Sequence, residues 1–355
     1  MRILIDTSFA ARGPSGTAVY IERLTETLRA RGNVEVVEAR RRRRPAPGRS
    51  RARGRLVWST ANAVLDVAWV QVALRARARR CRADVIHHPL PAWMWRAPCA
   101  QAVTVHDLAF EHLPEGFGRV WRLLARRRHR AAARRAGAVV CVSRAAAADA
   151  VGILGADPER VVVAPHGPGQ ALPGAAATDD GAAARHFLYV GDDEPRKRVP
   201  ALLEAHRRYA AGREDALPLV LAGRAAVRAN GEEPHVVGEP RPDGARLREL
   251  LAEAAALVHP SADEGFGLTL AEAMAAGVAV LAVRNPGTHE LCGPAALLVE
   301  PDDLAEGMAR LHDEGELRAE LARRGRERAR RFSWDESARL HEEAYSLAVM
   351  QGGAR

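Results

Sequence analysis

The sequence predicts an α/β protein of two doubly wound, Rossmann-like domains, and three observations carry that expectation. At 355 residues the chain is too long for one ordinary core and fits two domains of roughly 150 to 200 residues. Twice, at the start and again after residue 185, an apolar strand runs through a glycine-bearing loop into a segment with helical spacing, the opening unit of a doubly wound sheet. Between the two repeats the charge changes sign. Residues 1–165 hold 30 arginines against 13 acids, net +17, whereas 166–355 hold 23 basic residues against 31 acids, net −8. Halves of opposite charge are expected to face different partners.

Composition sets further bounds. The chain is 47% hydrophobic and 27% charged, which is globular rather than disordered. Cys81, Cys99, Cys141 and Cys292 have neither disulfide-framework nor metal-ligand spacing and read as reduced thiols. The opening MRILID is too short and too soon charged for a secretion signal, and no apolar run reaches about 18 residues. A cytoplasmic protein is expected, at most peripheral on the inner face of a membrane. Of 53 basic residues only Lys197 is lysine. Wholesale arginine use reflects GC-rich coding, whereas a lone lysine marks a place for a compact ammonium, as at a phosphate.

The first half opens with a strand over 2–6, a loop over 7–16 holding Gly13, Pro14, Ser15 and Gly16, and a helix over 17–31 with Val19, Leu24 and Leu28 near one face and Gly32 as its stop. No G-x-G-x-x-G follows the strand, so a dinucleotide-dependent oxidoreductase is unsupported. A strand over 34–39 leads into 40–55, which has nine arginines, no acid, and breaks at Pro45, Pro47, Gly48 and Gly54. Such a run is a solvated loop or a surface for an anionic membrane or acidic acceptor. Without an accompanying nucleic-acid module, no nucleic acid is expected as partner. A helix over 58–74 and a strand over 84–87 precede a loop with Trp93 and Trp95. Five of the six tryptophans lie in this half, in the core or as a sugar or lipid platform. The strand over 103–106 delivers His106 at its carboxyl end, the edge where open α/β sheets bind ligands; a structural strand-end histidine is the competing reading. A helix over 119–135 has eight arginines and no acid. Ser143 caps a helix running to 154, and a last strand over 161–164 ends at Pro165-His166-Gly167.

A Gly-, Ala- and Pro-rich linker covers 168–184. The second half begins with a strand over 186–190, the loop Gly191-Asp192-Asp193-Glu194-Pro195-Arg196-Lys197-Arg198 and a helix over 200–210. Strands over 217–222, 235–237 and 256–259 follow. The stretch 260–277, PSADEGFGLTLAEAMAAG, passes through Gly265 and Gly267 into an Ala-rich helix stopped by Gly277. A glycine turn feeding a helix presents unpaired N–H groups, which hold phosphate and sugar oxygens. Glu264 stands at the mouth of this turn and Glu272 eight residues on. Along one continuous helix the two would be ~12 Å apart, too far for the roughly 5 to 9.5 Å carboxylate pair of a glycosidase. The spacing suits one carboxylate on a sugar and one on the ribose of the same nucleotide-sugar. A strand over 278–283, a loop from Asn285 to Glu290, a strand over 297–300 and helices over 302–313 and 316–331 complete the half. Ser333 and Glu336 form a capping box that opens a terminal helix.

EGFGLTLAEAM with Gly277 resembles the E-x7-E segment of the retaining nucleotide-sugar glycosyltransferases of family 4, which have the GT-B fold. YVGDDEPRKRV resembles their YVG-x-x-EPRK-N segment, and VHDLAF the segment whose histidine contacts the transferred sugar. The competing reading of the first is a glutamate capping a helix in a generic α/β protein. The resemblance implies two Rossmann-like domains facing each other across a cleft: an acceptor domain over 1–167, a linker over 168–185, a donor domain over 186–331 and a terminal helix over 332–355 returning to the first. It implies Glu264 on the sugar hydroxyls, the backbone of Gly265, Phe266, Gly267 and Leu268 on sugar and phosphate, Glu272 on the ribose, Arg196 and Lys197 on the diphosphate in the loop opened by Gly191, His106 positioning the sugar, and Gly16 near diphosphate and acceptor. No cofactor beyond the donor and no metal is expected, because Asp192-Asp193 is not a D-x-D. The EPRK form points to mannosyl-type members and a GDP-sugar, with UDP-sugars next. The acceptor would be a saccharide, a lipid-linked saccharide or a small molecule. Arg198 stands where the family has asparagine, and Asp192-Asp193 is unusually acidic. A sugar-nucleotide epimerase or phosphorylase of the same fold is the alternative, as is a non-catalytic sugar-nucleotide-binding protein, against which the intact Glu264, Glu272, Arg196 and Lys197 set argues.

Overall fold

The computed structural model describes residues 1–10, 15–41, 65–169, 184–229 and 235–352. Gly13 and Pro14, residues 42–55 of the arginine run, Trp58 and residues 170–183 of the expected linker lie outside the described residues. The chain divides into two units, one of Met1–His106, Val120–Pro165 and Trp334 onward, the other of Asp107–Arg119 and His166–Ser333. The sequence boundaries had given 107–119 to the first domain. It belongs with the second because His112 bonds to Asp263 and Gly116 lies against Pro195.

The first unit holds a six-stranded sheet of β1 (Arg2–Asp6), β2 (Glu35–Ala39), β3 (Val85–His88), β4 (Ala100–Val105), β5 (Ala138–Cys141) and β6 (Val161–Val163), in the order β2-β1-β3-β4-β5-β6. Every pair is parallel. β3 and β5 are buried along their whole length, as strands covered on both faces are. The first helix is Gly16–Arg31, capped by the Ser15 hydroxyl on the Ala18 N–H and closed by Gly32 in the left-handed region. Gly16 is therefore the first helical residue rather than the end of a loop. Of the helix expected over 58–74, the described residues, 65 onward, are helical and run on to Cys81 through a π-helical stretch at Trp69–Leu74. Its Arg/Ala tail favours helix, and left-handed Arg82 ends it.

The terminal helix Trp334–Gly352 packs on this unit. Gly137 admits it, since a Cβ there would lie 2.7 Å from the Ala348 carbonyl. Arg31 ties its start through Glu342 and Asp335. Beneath them runs a buried chain of hydrogen bonds. His341 Nδ1–H donates to the Ser337 carbonyl at 2.7 Å, and in the neutral ring that burial favours its Nε2 accepts from the Tyr20 hydroxyl at 2.9 Å. Tyr20 in turn accepts from Thr104 at 2.8 Å, Thr104 from His87 Nε2–H at 2.8 Å, and His87 Nδ1 from Tyr345 at 2.9 Å. With both imidazoles neutral, this set of directions gives each hydroxyl and ring nitrogen of the chain a partner. Burial lowers the pKa of each, His341 to about 4 and His87 well below its ordinary value.

The second unit holds β7 (His186–Val190), β8 (Leu219–Ala222), β9 (Val236–Glu239), β10 (Ala254–His259), β11 (Val280–Val283) and β12 (Leu297–Val299), in the order β12-β11-β10-β7-β8-β9 and again all parallel. Its core joins Phe187, Tyr189, Leu219, Leu221, Val258 and Leu281 to the helices Val199–Ala210 and Leu304–Asp313. A helix absent from the sequence reading, Gly244–Glu253, is capped by Asp243 on the Arg246 N–H. Residues 285–290, read as a loop, form most of the helix Pro286–Cys292. Asn285 and Thr288 make a reciprocal capping box there.

Histidines neutral in the fold take up protons first in the unfolded chain, so stability is complete above pH ~6.5 and falls as pH drops toward the folded values. For His341 the loss between pH 8 and pH 5 is about 2 kcal/mol. In denaturant unfolding, His341→Gln should show a visibly shallower decline over that interval than wild type; parallel declines would contradict the neutral chain.

Candidate functional site

In the second sheet the chain winds outward from the central pair, β7 to β8 and β9 on one side and β10 to β11 and β12 on the other. Open α/β sheets hold ligands at such a switch point, outside the carboxyl ends of the strands. β7 ends at Val190 and releases the 191–198 loop, while β10 ends at His259 and releases 260–267. Two hydrogen bonds stitch these loops together: the Ala262 N–H donates to the Arg196 carbonyl at 2.9 Å, and the Arg196 side chain donates from Nη1 to the Asp263 carbonyl at 3.3 Å. Arg196 and Lys197 lie in the single turn Pro195–Lys197 ahead of the helix Val199–Ala210. Arg198 closes that turn at φ 48°, a region that asparagine takes more readily than arginine does.

The turn points its cations at one carboxylate. Lys197 Nζ lies 2.6 Å from Glu264 Oε2, His259 Nε2–H donates to the same oxygen at 3.1 Å, and Arg196 Nη1 lies 3.6 Å from it. Burial alone would raise the Glu264 carboxyl, but Lys197, the His259 hydrogen bond and Arg196 outweigh it and hold the group well below the usual carboxylate range. Burial opposes the Arg196 charge too, yet Glu264, Asp107 and Glu194 drive its pKa above the ordinary value. His259 is lowered by burial, against the pull of Glu264. One of Lys197's three N–H donors goes to Glu264, and the ammonium can offer two more.

Around this cluster the backbone is held in place. Gly267 sits at φ 90° and opens the helix Leu268–Ala276 with no side-chain cap, and a Cβ there would meet Leu270 at 2.8 Å. The first N–H groups of that helix lack a capping side chain, the arrangement that suits anions. Phe266 is buried edge-on against His166 and Phe332. Glu272 is buried one turn into the helix. Glu264 lies in the preceding turn and not on the helix axis, so the ~12 Å axial spacing expected for a continuous helix does not apply to this pair. Gly191 meets Tyr189, whose hydroxyl donates to the Asp192 carbonyl at 2.8 Å. The acidic pair is neutralised locally: Asp192 forks onto Arg224, and Asp193 Oδ2 meets Arg228 at 2.7 Å.

Four participants were not singled out in the sequence. His259 is a strand-end histidine at the ligand edge, the signal that singled out His106. Gly287 is required because a Cβ there would fall 1.8 Å from the Glu264 carbonyl oxygen. Asn285 Nδ2 donates to the Ser261 carbonyl at 3.0 Å, fixing the 260–267 loop from the neighbouring helix. His112 Nδ1–H donates to Asp263 Oδ1 at 3.0 Å, while Asp263 Oδ2 is buried without a hydrogen bond. Burial, with Asp107 adding to it against His112, raises the Asp263 carboxyl. The remaining sequence candidates lie in the first unit. His106 follows β4, donates Nε2–H to the Pro89 carbonyl at 2.9 Å and packs edge-on to Tyr20 at 4.9 Å, and Gly16 is exposed at the start of its helix. Among the described residues no three His, Cys, Asp or Glu side chains converge as a metal would need.

Two parallel sheets of six strands, the second with a charged cluster at its switch point, define a two-domain Rossmann-type α/β protein. The chain belongs to the group 1, family 4 glycosyltransferases: residues 182–328 match the model described as glycosyl transferases group 1, and 14–168 that of glycosyltransferase family 4. Over 180 residues it is 31% identical to O-antigen chain mannosyltransferase B of Escherichia coli, covering 46% of each chain. Over 136 residues it is 36% identical to the GDP-mannose:cellobiosyl-diphosphopolyprenol alpha-mannosyltransferase of Komagataeibacter xylinus, covering 36% of this chain and 35% of that one. These matches span less than half the length of either relative. Among solved structures, sucrose-phosphate synthase of Thermosynechococcus elongatus superposes with a TM-score of 0.75 at 20% identity over 98% of both chains. The fold is thus that of the GT-B glycosyltransferases.

Gly287→Ala should cost roughly 1–3 kcal/mol through overpacking against the Glu264 carbonyl. The melting temperature reads it, and an unchanged value would contradict the close approach.

Proposed function

We propose that this chain transfers a hexose, mannose in the first instance, from a nucleotide-diphosphate sugar to a saccharide, lipid-linked saccharide or small-molecule acceptor, with retention at the anomeric carbon. The observation that carries the reading is the meeting of Arg196, Lys197 and Glu264 at the switch point of the second sheet. In the reaction the bond from the anomeric carbon to the diphosphate breaks, the acceptor oxygen bonds to the same carbon, and its proton is released. Negative charge grows on the departing diphosphate. Arg196 and the remaining donors of Lys197 are the groups suited to stabilise that charge more in the transition state than in the ground state.

Glu264, held ionised, would accept hydrogen bonds from sugar hydroxyls, and its charge would favour the electron-poor anomeric centre. Glu272 is assigned to the ribose. The uncapped start of the helix Leu268–Ala276, with the backbone of Gly265, Phe266, Gly267 and Leu268, is assigned to sugar and phosphate oxygens. His106 is assigned to sugar positioning and Gly16 to the diphosphate and acceptor side. Both mannosyltransferase relatives support mannose, and the donor named for the second supports GDP over UDP as the carrier. No metal or cofactor beyond the donor enters this reading.

The same reading places the acceptor side near an anionic membrane surface. The helix Arg119–Arg135 exposes Val120 by 73%, Trp121 by 52% and Leu124 by 59% beside its arginines. Apolar tips among cations suit a headgroup interface. Among the described residues no helix is long and apolar enough to cross a membrane.

Incubation with radiolabelled GDP-mannose and UDP-glucose over a panel of lipid-linked and soluble saccharide acceptors tests the transfer. Lys197→Ala and Glu264→Gln should each lower kcat/KM by about a hundredfold or more; wild-type rates in both would remove the assignment. Co-sedimentation with phosphatidylserine vesicles should be lost in high salt and weakened in Trp121→Ala. Binding indifferent to both would remove the membrane contact.

A further inference from the structure

The amino-terminal edge of the first sheet carries a groove of about 220 Å³ at the starts of β4 and β5, walled by the 93–97 loop on one side and the end of the terminal helix on the other. Its loop is held by two glutamine amides. Gln71 donates to the Trp93 carbonyl at 2.7 Å and accepts from the Trp95 N–H at 3.1 Å. Buried Gln101 accepts from the Met94 N–H at 2.9 Å and from His88 at 3.1 Å, and donates to the Met94 carbonyl at 3.1 Å. Met94 between the two tryptophans is fully buried and anchors the loop. On this fixed backbone Trp95 remains 76% exposed, where packing does not explain it.

The cations are also unanswered. Arg96 and Arg135 are exposed and have no hydrogen-bonding or acidic partner among the described residues, and Arg160 meets only Asp157, at 3.3 Å. Among the described residues no acid lines the groove. Gln351 adds a neutral amide at its rim.

We propose that this groove is a second saccharide site, separate from the charged cluster of the second unit, and that its ligand is an anionic glycan. The Trp95 ring supplies a flat apolar face for a sugar ring, Arg96 and Arg135 supply guanidinium forks for a carboxylate or phosphate substituent, and Gln351 serves a hydroxyl. A pinned backbone makes the platform pre-organised, which removes the cost of ordering it on binding. The volume falls below the ~300–1,000 Å³ of drug-sized sites, so the groove takes a short segment of a longer glycan lying across it. The concave shape favours this occupant over a lipid surface, which needs apolar groups on a protruding face. The proposal is independent of the transfer reaction.

The test uses the full chain and two hexasaccharides of like length, hexagalacturonate and neutral maltohexaose, followed by calorimetry and tryptophan fluorescence. Hexagalacturonate should bind and maltohexaose much more weakly. Trp95→Ala, which changes no charge, should weaken acidic binding about tenfold, Arg96→Ala/Arg135→Ala should weaken it further, and Lys197→Ala should leave it unchanged. Absence of hexagalacturonate binding, equal binding of the neutral sugar, or wild-type affinity in Trp95→Ala overturns the proposal. So does Trp95-dependent binding to phosphatidylserine vesicles without hexagalacturonate binding, which would give the groove to lipid. Should Trp95→Ala fail to fold, the double arginine variant carries the same test.

Discussion

The second unit depends on one buried carboxylate that must stay charged. An ionised group taken out of water costs several kcal/mol unless it is paired and hydrogen-bonded. Glu264 meets that demand through Lys197, His259 and Arg196 converging on it, and each partner constrains a different element. Lys197 and Arg196 require the turn after β7, His259 requires the last residue of β10, and the two strands adjoin because the sheet reverses its winding between them. The Glu264 carbonyl in turn requires a glycine at 287, and the loop carrying it requires the Asn285 clamp. A charge placed this way is pre-oriented, so little rearrangement is needed when a ligand's own charge develops beside it.

The first unit solves a related problem with neutral groups. Two tyrosines, two histidines and a threonine are buried together, and the cost of burying them is met by the hydrogen bonds that join them. The chain joins β3 and β4 to the terminal helix, so it also specifies where that helix docks. The apolar contacts of the helix come from Ala338, Ala344, Tyr345 and Ala348, with Trp334, Leu340 and Leu347 partly buried beside them, and the polar chain adds directional contacts to that packing.

The legible part of the molecule was what local chemistry dictates. Gly267 and Gly277 take left-handed conformations at the two ends of one helix, and that is readable because few other residues do so at low cost. The meeting of Arg196 and Lys197 with Glu264 was recoverable only through family resemblance, since 67 residues separate Lys197 from its carboxylate. What escaped was mostly long-range. Nothing near His112 announces Asp263, 151 residues away, and the reason for Gly287 is a carbonyl on another loop. The Asp192-Asp193 pair reads only as unusually acidic in the sequence, because the Arg224 and Arg228 that answer it lie 32 and 35 residues on. Some misses were local and avoidable: Asn285 with Thr288 is a capping signature, and Asp243 a plain N-cap. Strand ends differ by one to three residues, the largest at β4, which starts at Ala100 rather than 103.

The central claim is that Lys197 and Arg196 keep the buried Glu264 ionised and ready for a donor. Carbon-13 NMR of selectively labelled glutamate side chains, followed through acid titration, measures that directly. The account predicts that the Glu264 carboxyl titrates well below the ordinary ~4.3 in wild type, and that Lys197→Ala moves it upward as burial prevails. A Glu264 carboxyl that titrates at or above the ordinary value in wild type, or does not move in Lys197→Ala, would contradict the account.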